Sequence, residues 1–268
     1  MTRPLPPAQW IRPQWPAAGH VRALITTRAG GVSGGSFGAG FAGGGMNIGL
    51  SSGDEVAAVR ANRARLREFL PAEPRWLSQV HGSGVHDADQ DGAFPVADAA
   101  VSAGAQRVCV VSIADCLPVF FTDPQGRVVG AAHAGWRGLA AGVLQNTAAA
   151  LRVKLGEAGA ELLAYLGPAI GPTAFEVGGE VLAAMRARLP RAEAAFVSRP
   201  GGKYLADLFA LARQALGQAG IERVFGGGQC TYSDPGRFYS FRRDRITGRH
   251  AALIWIERVS RADGMSPV

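Results

Sequence analysis

Three residues in this chain, His81, Cys116 and His133, carry side chains that bind metals or act as nucleophile and base. Each stands just past a short apolar stretch. His81 follows Ser78-Gln79-Val80, Cys116 follows Val110 to Asp115, and His133 follows Val128 to Ala132. Such stretches read as strands, and strand ends in one sheet lie about 5 Å apart per strand. Three such ends can converge on one ion, although the ligands are far apart in sequence. Two imidazoles and a thiolate suit zinc and leave one tetrahedral position for water or substrate, the open arrangement of a catalytic site. Copper binds the same ligands more tightly in the divalent series. The residues also suit a Cys–His hydrolase, with Cys116 as nucleophile, His133 as base and Asp115 or Asp98 orienting the ring.

The neighbours of these residues add to the picture. Asp115 precedes Cys116 and is placed to orient a ligand or accept a proton. Leu117-Pro118 follows and fixes the backbone. His133 opens Ala134-Gly135-Trp136-Arg137-Gly138 at an expected helix start, where free amides and Arg137 favour an anion.

The elements that must position these residues follow from patterning. Val21 to Thr27 reads as a strand, and Arg28 to Gly45 as a loop in which nine of 18 residues are glycine. From Asp54 to Leu70, Val56, Val59, Arg63, Leu66 and Leu70 recur at helical spacing, and Pro71 ends the run. Strands are expected over Arg75 to Val80, Arg107 to Ile113 (covered on both faces), Val119 to Thr122 and Arg127 to Ala132. A helix is expected over Gly138 to Leu155. Later come strands at Glu161 to Leu166, Ile221 to Phe225 and Ala251 to Ile256, and helices at Glu180 to Leu189 and Tyr204 to Gln218. Strands and helices do not alternate regularly. The expectation is therefore an α+β fold with mixed sheets, in one domain over 21–268 after an N-terminal extension of 1–20.

Composition bounds the rest. With 47% hydrophobic and 18% charged residues, the chain has a globular balance and length enough for its own core. Three cysteines are too few for a disulfide framework and fit a reducing compartment. Neither a secretory leader nor a spanning apolar run is present, so a cytoplasmic, membrane-free protein is expected. The net charge of +7 is almost all arginine, but no basic block or aromatic-interleaved stripe marks a nucleic-acid surface. An anionic small substrate fits better. With no coiled-coil pattern or apolar interface stripe, a monomer is expected.

The stretches TTRAGGVS, NIGLSSGD, WLSQVHG, ADAAVSAG, IADCLPVFF, AAHAGWRG, LGPAIGPTAFEVG and FRRDRITGRHAALIWI resemble, in order, the landmarks of the laccase-domain family. This family is also called YfiH-like, peptidoglycan editing factor or multicopper polyphenol oxidase. The likeness runs from about Val21 to Ile256. It implies an α+β sandwich and zinc on His81, Cys116 and His133. It further implies phosphorolysis of adenosine, inosine, guanosine and methylthioadenosine, and hydrolytic deamination of adenosine. Candidate phosphate ligands are Arg28, Arg137, and Arg242 or Arg243. Phe241, Tyr239 or Phe175 would stack on the base, and Asn47 would bond the ribose. A copper phenol oxidase is the alternative. Five histidines (His20, His81, His86, His133 and His250) are too few for a four-copper cluster.

Overall fold

Alternating burial along β13 (His250–Ile256) explains the layering of the molecule. Ala252, Ile254 and Ile256 pack into one apolar cluster, and Ala251, Leu253 and Trp255 into another. A strand buried on both faces must lie between two layers. The computed structural model describes residues 4–40, 43–90 and 94–258. In it β13 is the middle of an antiparallel sheet, flanked by β1 (Val21–Ile25) and β5 (Cys109–Ile113).

One face of this sheet packs on a six-stranded mixed sheet through Cys109, Val111, Phe120, Val129 and Ala131. The order of that sheet is β12 (Arg223–Gly226), β8 (Leu163–Leu166), β6 (Leu117–Thr122), β7 (Val129–Ala134), β4 (Ala99–Ser102) and β3 (Val85–Asp87). Its two outermost pairs are parallel and the rest antiparallel. The outer face of the three-stranded sheet is covered by α1 (Val56–Arg67). The far face of the six-stranded sheet is covered by α2 (Trp136–Ala141), α3 (Val143–Leu155) and α5 (Leu208–Gln218). A small antiparallel sheet of β10 (Phe196–Arg199), β11 (Lys203–Ala206) and β9 (Glu176–Val177) lies beside α4 (Gly179–Arg186). The architecture is α+β, with two packed sheets between helices.

Several expectations change. Arg75 to Val80 is not a strand; its ladder pairing is limited to single bridges at Arg75 and Ser78. Tyr204 lies in β11, and the helix begins at Leu208, where Asp207 caps Phe209 and Ala210. The helix expected from Gly138 starts earlier, at Trp136, and breaks at Gly142. That residue has φ of 88°, which glycine adopts at little cost. The glycine-rich loop contains β2 (Ala29–Ser33) and is pinned by Asn62 of α1. The Asn62 amide donates to Ser33 Oγ, Gly45 O and Asn47 O, and its Oδ1 accepts from Val32. Residues 41 and 42 of that loop, 1–3 of the expected extension and 259–268 of the expected domain lie outside the described residues. Part of the remaining N-terminal segment packs onto the body. Trp10 is buried against Phe69, and Ile11 bridges Ile25.

Candidate metal centre and substrate cleft

Cys116 sits in the turn from β5 to β6, which crosses from one sheet to the other. His133 is the second-last residue of β7, opposite Pro118 of β6. His81 comes from the irregular segment before β3. The three ligands therefore do not come from three strand ends of one sheet: a sheet-to-sheet turn, a strand and a loop converge. Their ligand atoms lie within 4.8 Å of one another, and the two imidazole centroids are 4.8 Å apart.

Asp98, immediately before β4, brings the histidines into place. Its carboxylate accepts three successive backbone N–H groups, from Val80 at 3.1 Å, His81 at 2.9 Å and Gly82 at 2.7 Å. That grip holds His81 at φ of 60°, a left-handed conformation costing a non-glycine residue about 1–2 kcal/mol. The same carboxylate bonds His133 Nδ1 at 2.8 Å. A carboxylate only accepts, so Nδ1 carries the proton and Nε2 is left for Cys116 or an ion. Burial would raise the Asp98 pKa, but these hydrogen bonds and His133 outweigh it and hold the group below its ordinary value. Burial likewise opposes ionisation of Cys116, yet His133 and His81 bring its thiol down to about 6. Burial pushes His133 the other way, and Cys116 and Asp98 lift it to about 9.

The donors fit a metal. Tetrahedral zinc spaces N and S ligands about 3.5 Å apart, so modest rotation of the exposed His81 ring closes the set. Room for it depends on Gly135, whose missing Cβ would stand 2.7 Å from Cys116 Sγ and 3.5 Å from His81 Cδ2. Among the described residues this is the one His/Cys/acid group close enough to hold an ion. The other histidines are elsewhere: His20 bonds Gly126 O, His86 is on β3, and His250 is buried beside Phe238 and Tyr239.

The three ligands lie at a cleft of about 650 Å³. Of the residues singled out from sequence, Asp115, Arg137 and Arg242 also line it, as do Phe175 and Phe241. Both oxygens of the Asp115 carboxylate are engaged: Oδ1 accepts from Thr231 Oγ1 at 2.6 Å and Oδ2 from the Arg242 N–H at 2.6 Å. Arg242 starts toward the cleft from α6 (Phe241–Asp244), over Phe175, with one nitrogen on Glu176 O. Arg137 is exposed and stacked on Trp136, with Cζ 4.5 Å from the ring centroid. Its helix α2 has only six residues, too short for much of the expected dipole.

Arg28, Asn47, Arg243 and Tyr239 do not line the cleft. Arg28 donates to the carbonyls of Gly38, Ser36 and Pro235. Asn47 is fully buried and ties Ser52, Asp54, Gly49 and Arg249 together, so it shapes the Gly49–Ser52 turn that does reach the cleft. Arg243 is fastened to Thr231, Tyr232, Phe238 and Asp244. Sequence reasoning missed Gly135, Trp76, Arg249 and the cleft role of Arg63. The one available signal was Arg63 standing within the helix stripe that faces inward.

The profile of the family described as multi-copper polyphenol oxidoreductase laccase matches residues 22–257. A Pseudomonas aeruginosa protein named purine nucleoside phosphorylase is 50% identical over 92% of this chain and 98% of its own length. A purine nucleoside phosphorylase of Escherichia coli, YfiH, is 47% identical over the same shares. A crystal structure of a Neisseria meningitidis protein superposes with a TM-score of 0.85 at 45% identity, covering 93% of this chain and all of that one. YlmD from Geobacillus stearothermophilus also superposes at 0.85, at 31% identity over 96% of this chain and 99% of its own. With the fold, the ordered motifs and these matches in agreement, the chain belongs to the multi-copper polyphenol oxidoreductase laccase family.

Proposed function

We propose that this protein is a zinc-dependent purine nucleoside enzyme that phosphorolyses adenosine, inosine, guanosine and methylthioadenosine and deaminates adenosine. The observation that carries this reading is the three-ligand group His81–Cys116–His133 at a cleft walled by arginines and aromatic rings. Zinc held by these three residues would supply Lewis acidity and make a nearby water more acidic.

The remaining work falls to side chains. The exposed Phe241 offers a face on which a purine stacks, and the buried Phe175 supports Arg242 at the cleft wall. Arg137 and Arg242 offer positive charge to the bound substrate as a phosphate oxygen attacks the sugar carbon and the bond to the purine nitrogen breaks. In deamination, water adds at the ring carbon and ammonia leaves. Asp115 positions Arg242 by holding its backbone. Arg28 and Asn47 act at one remove, through the glycine loop and the Gly49–Ser52 turn. The protein works on small molecules as a cytoplasmic monomer; no helix among the described residues is long and apolar enough to cross a membrane.

The Cys116–His133–Asp98 chain supports a second reading, a cysteine amidase in which the ring activates the thiol. Multicopper oxidation is disfavoured because His20, His86 and His250 lie apart from the ligand group.

One product assay decides among these readings. Adenosine with phosphate should yield adenine and ribose phosphate, and without phosphate inosine. Protein purified without added metal should carry about one zinc per chain. Cys116→Ala should lose both metal and turnover. Full turnover by metal-free protein would sink the metal reading, and no nucleoside product would move weight to the amidase.

A further inference from the structure

The cleft has a second cationic wall that the roles above leave unused. Arg63, on α1, lies flat on Trp76 with Cζ 3.7 Å from the ring centroid, and its Nε donates to Ile48 O at 2.8 Å. Arg249, just before β13, donates from one terminal nitrogen to Thr247 O and Gly248 O, both at 3.0 Å. Ile48 joins the two, because its N–H donates to Arg249 O at 3.2 Å. Both arginines line the cleft, as does the Gly49–Ser52 turn between them, with the Ser51 hydroxyl on it.

The two differ from the other arginines nearby. Every guanidinium nitrogen of Arg28 and Arg243 is engaged with protein oxygens. Arg63 keeps both terminal nitrogens free of protein partners among the described residues, and Arg249 keeps one. Neither forms an ion pair with a described carboxylate. Burial depresses both, Arg63 to about 10, yet each remains a cation at neutral pH. Glu73 near Arg63, and Cys116 and Asp115 near Arg249, attenuate these charges without pairing with them. Two fixed, half-buried forks with unpartnered N–H groups are preorganised for an oxyanion, since charge-assisted bonds to it replace the lost hydration.

We propose that Arg63 and Arg249, with the Gly49–Ser52 turn, form a phosphoryl-anion subsite, which takes inorganic phosphate or the phosphate of a nucleoside 5′-monophosphate. The inference rests on this cleft being the substrate site. It assigns the anion to the wall made by α1 and the start of β13.

Calorimetric titration of metal-loaded protein with inorganic phosphate, and separately with AMP, tests it. Arg63→Lys and Arg249→Lys keep charge and bulk but lose the fork. Each should weaken phosphate binding about tenfold or more, with melting temperature, zinc content and adenosine affinity retained. Equal affinity for the two probes identifies free phosphate as the ligand; tighter AMP binding, lost in the same variants, identifies the nucleotide. Unchanged phosphate and AMP affinity in both variants overturns the subsite, as does wild-type protein that binds neither at millimolar concentration. Phosphate binding that depends on these arginines, without release of adenine, would uphold the subsite while refuting the phosphorylase reading.

Discussion

Asp98 shows how one buried carboxylate sets the geometry of two candidate ligands at once. It holds the His81 loop by three amides and the His133 ring by Nδ1. Asn in its place keeps the size but carries one carbonyl oxygen and two donor hydrogens, so the shared grip fails. Asp98→Asn should weaken zinc binding about 10- to 100-fold, measured by competition with a chelator of known affinity. Unchanged affinity would reduce Asp98 to a fold residue. In the sequence, Asp115 is the candidate for orienting a metal ligand, and Asp98 enters only beside it as an orienting acid of the Cys–His hydrolase reading. Asp115 stood out by adjacency to Cys116, but its carboxylate faces Thr231 and Arg242 instead. Which of two acids reaches a histidine depends on strand pairing, and β4 lies beside β7 only in the folded sheet.

At the level of elements, the join between β7 and α2 is the tightest part of the centre. Gly135 caps α2 with φ of −70°, a conformation alanine adopts without strain. Its substitution therefore acts through sterics alone. The Cβ of Gly135→Ala would press on Cys116 Sγ. The expected result is protein with unchanged circular dichroism and at least about tenfold weaker zinc binding, because overpacking next to a ligand costs about 1–3 kcal/mol. Zinc taken up with wild-type affinity would show that the turn yields freely. The strands β5, β6, β7 and β13 were legible because burial on both faces leaves a nearly continuous apolar run. The strands of the small sheet, β9, β10 and β11, were not. They are short and half exposed, so their pairing rather than their composition defines them.

For the molecule as a whole, a histidine buried at the start of β13 against Phe238 and Tyr239 predicts acid sensitivity. His250 is fully buried at the start of β13, and its Nε2 accepts the Tyr239 N–H at 2.8 Å. Burial, with Arg28 and Arg249 nearby, lowers its pKa from 6.5 to about 3. The unfolded chain thus takes up a proton below pH 6.5 that the folded chain refuses. The stabilisation is complete above that value and is lost as pH falls from 6.5 toward 3. The slope is about 1.4 kcal/mol per pH unit. Unfolding free energy measured below pH 6.5 should carry this slope, and His250→Gln should flatten it by about one proton. Parallel slopes in the two proteins would falsify the assignment.

The sequence by itself determined the α+β class, the long buried strands, the three metal-ligand candidates and the family, because periodicity and local motifs survive in one dimension. Only the tertiary structure decided how His81, Cys116 and His133 meet: a loop, a turn between sheets and a strand, gathered by Asp98 and given room by Gly135. It also decided which arginines face the cleft. Arg28 and Arg243 turn to backbone carbonyls, while Arg63 and Arg249 meet across the Asn47–Ser52 turn. Residue type fixes what a guanidinium can bind. Where it points is set by packing between elements distant in sequence, which no local pattern encodes.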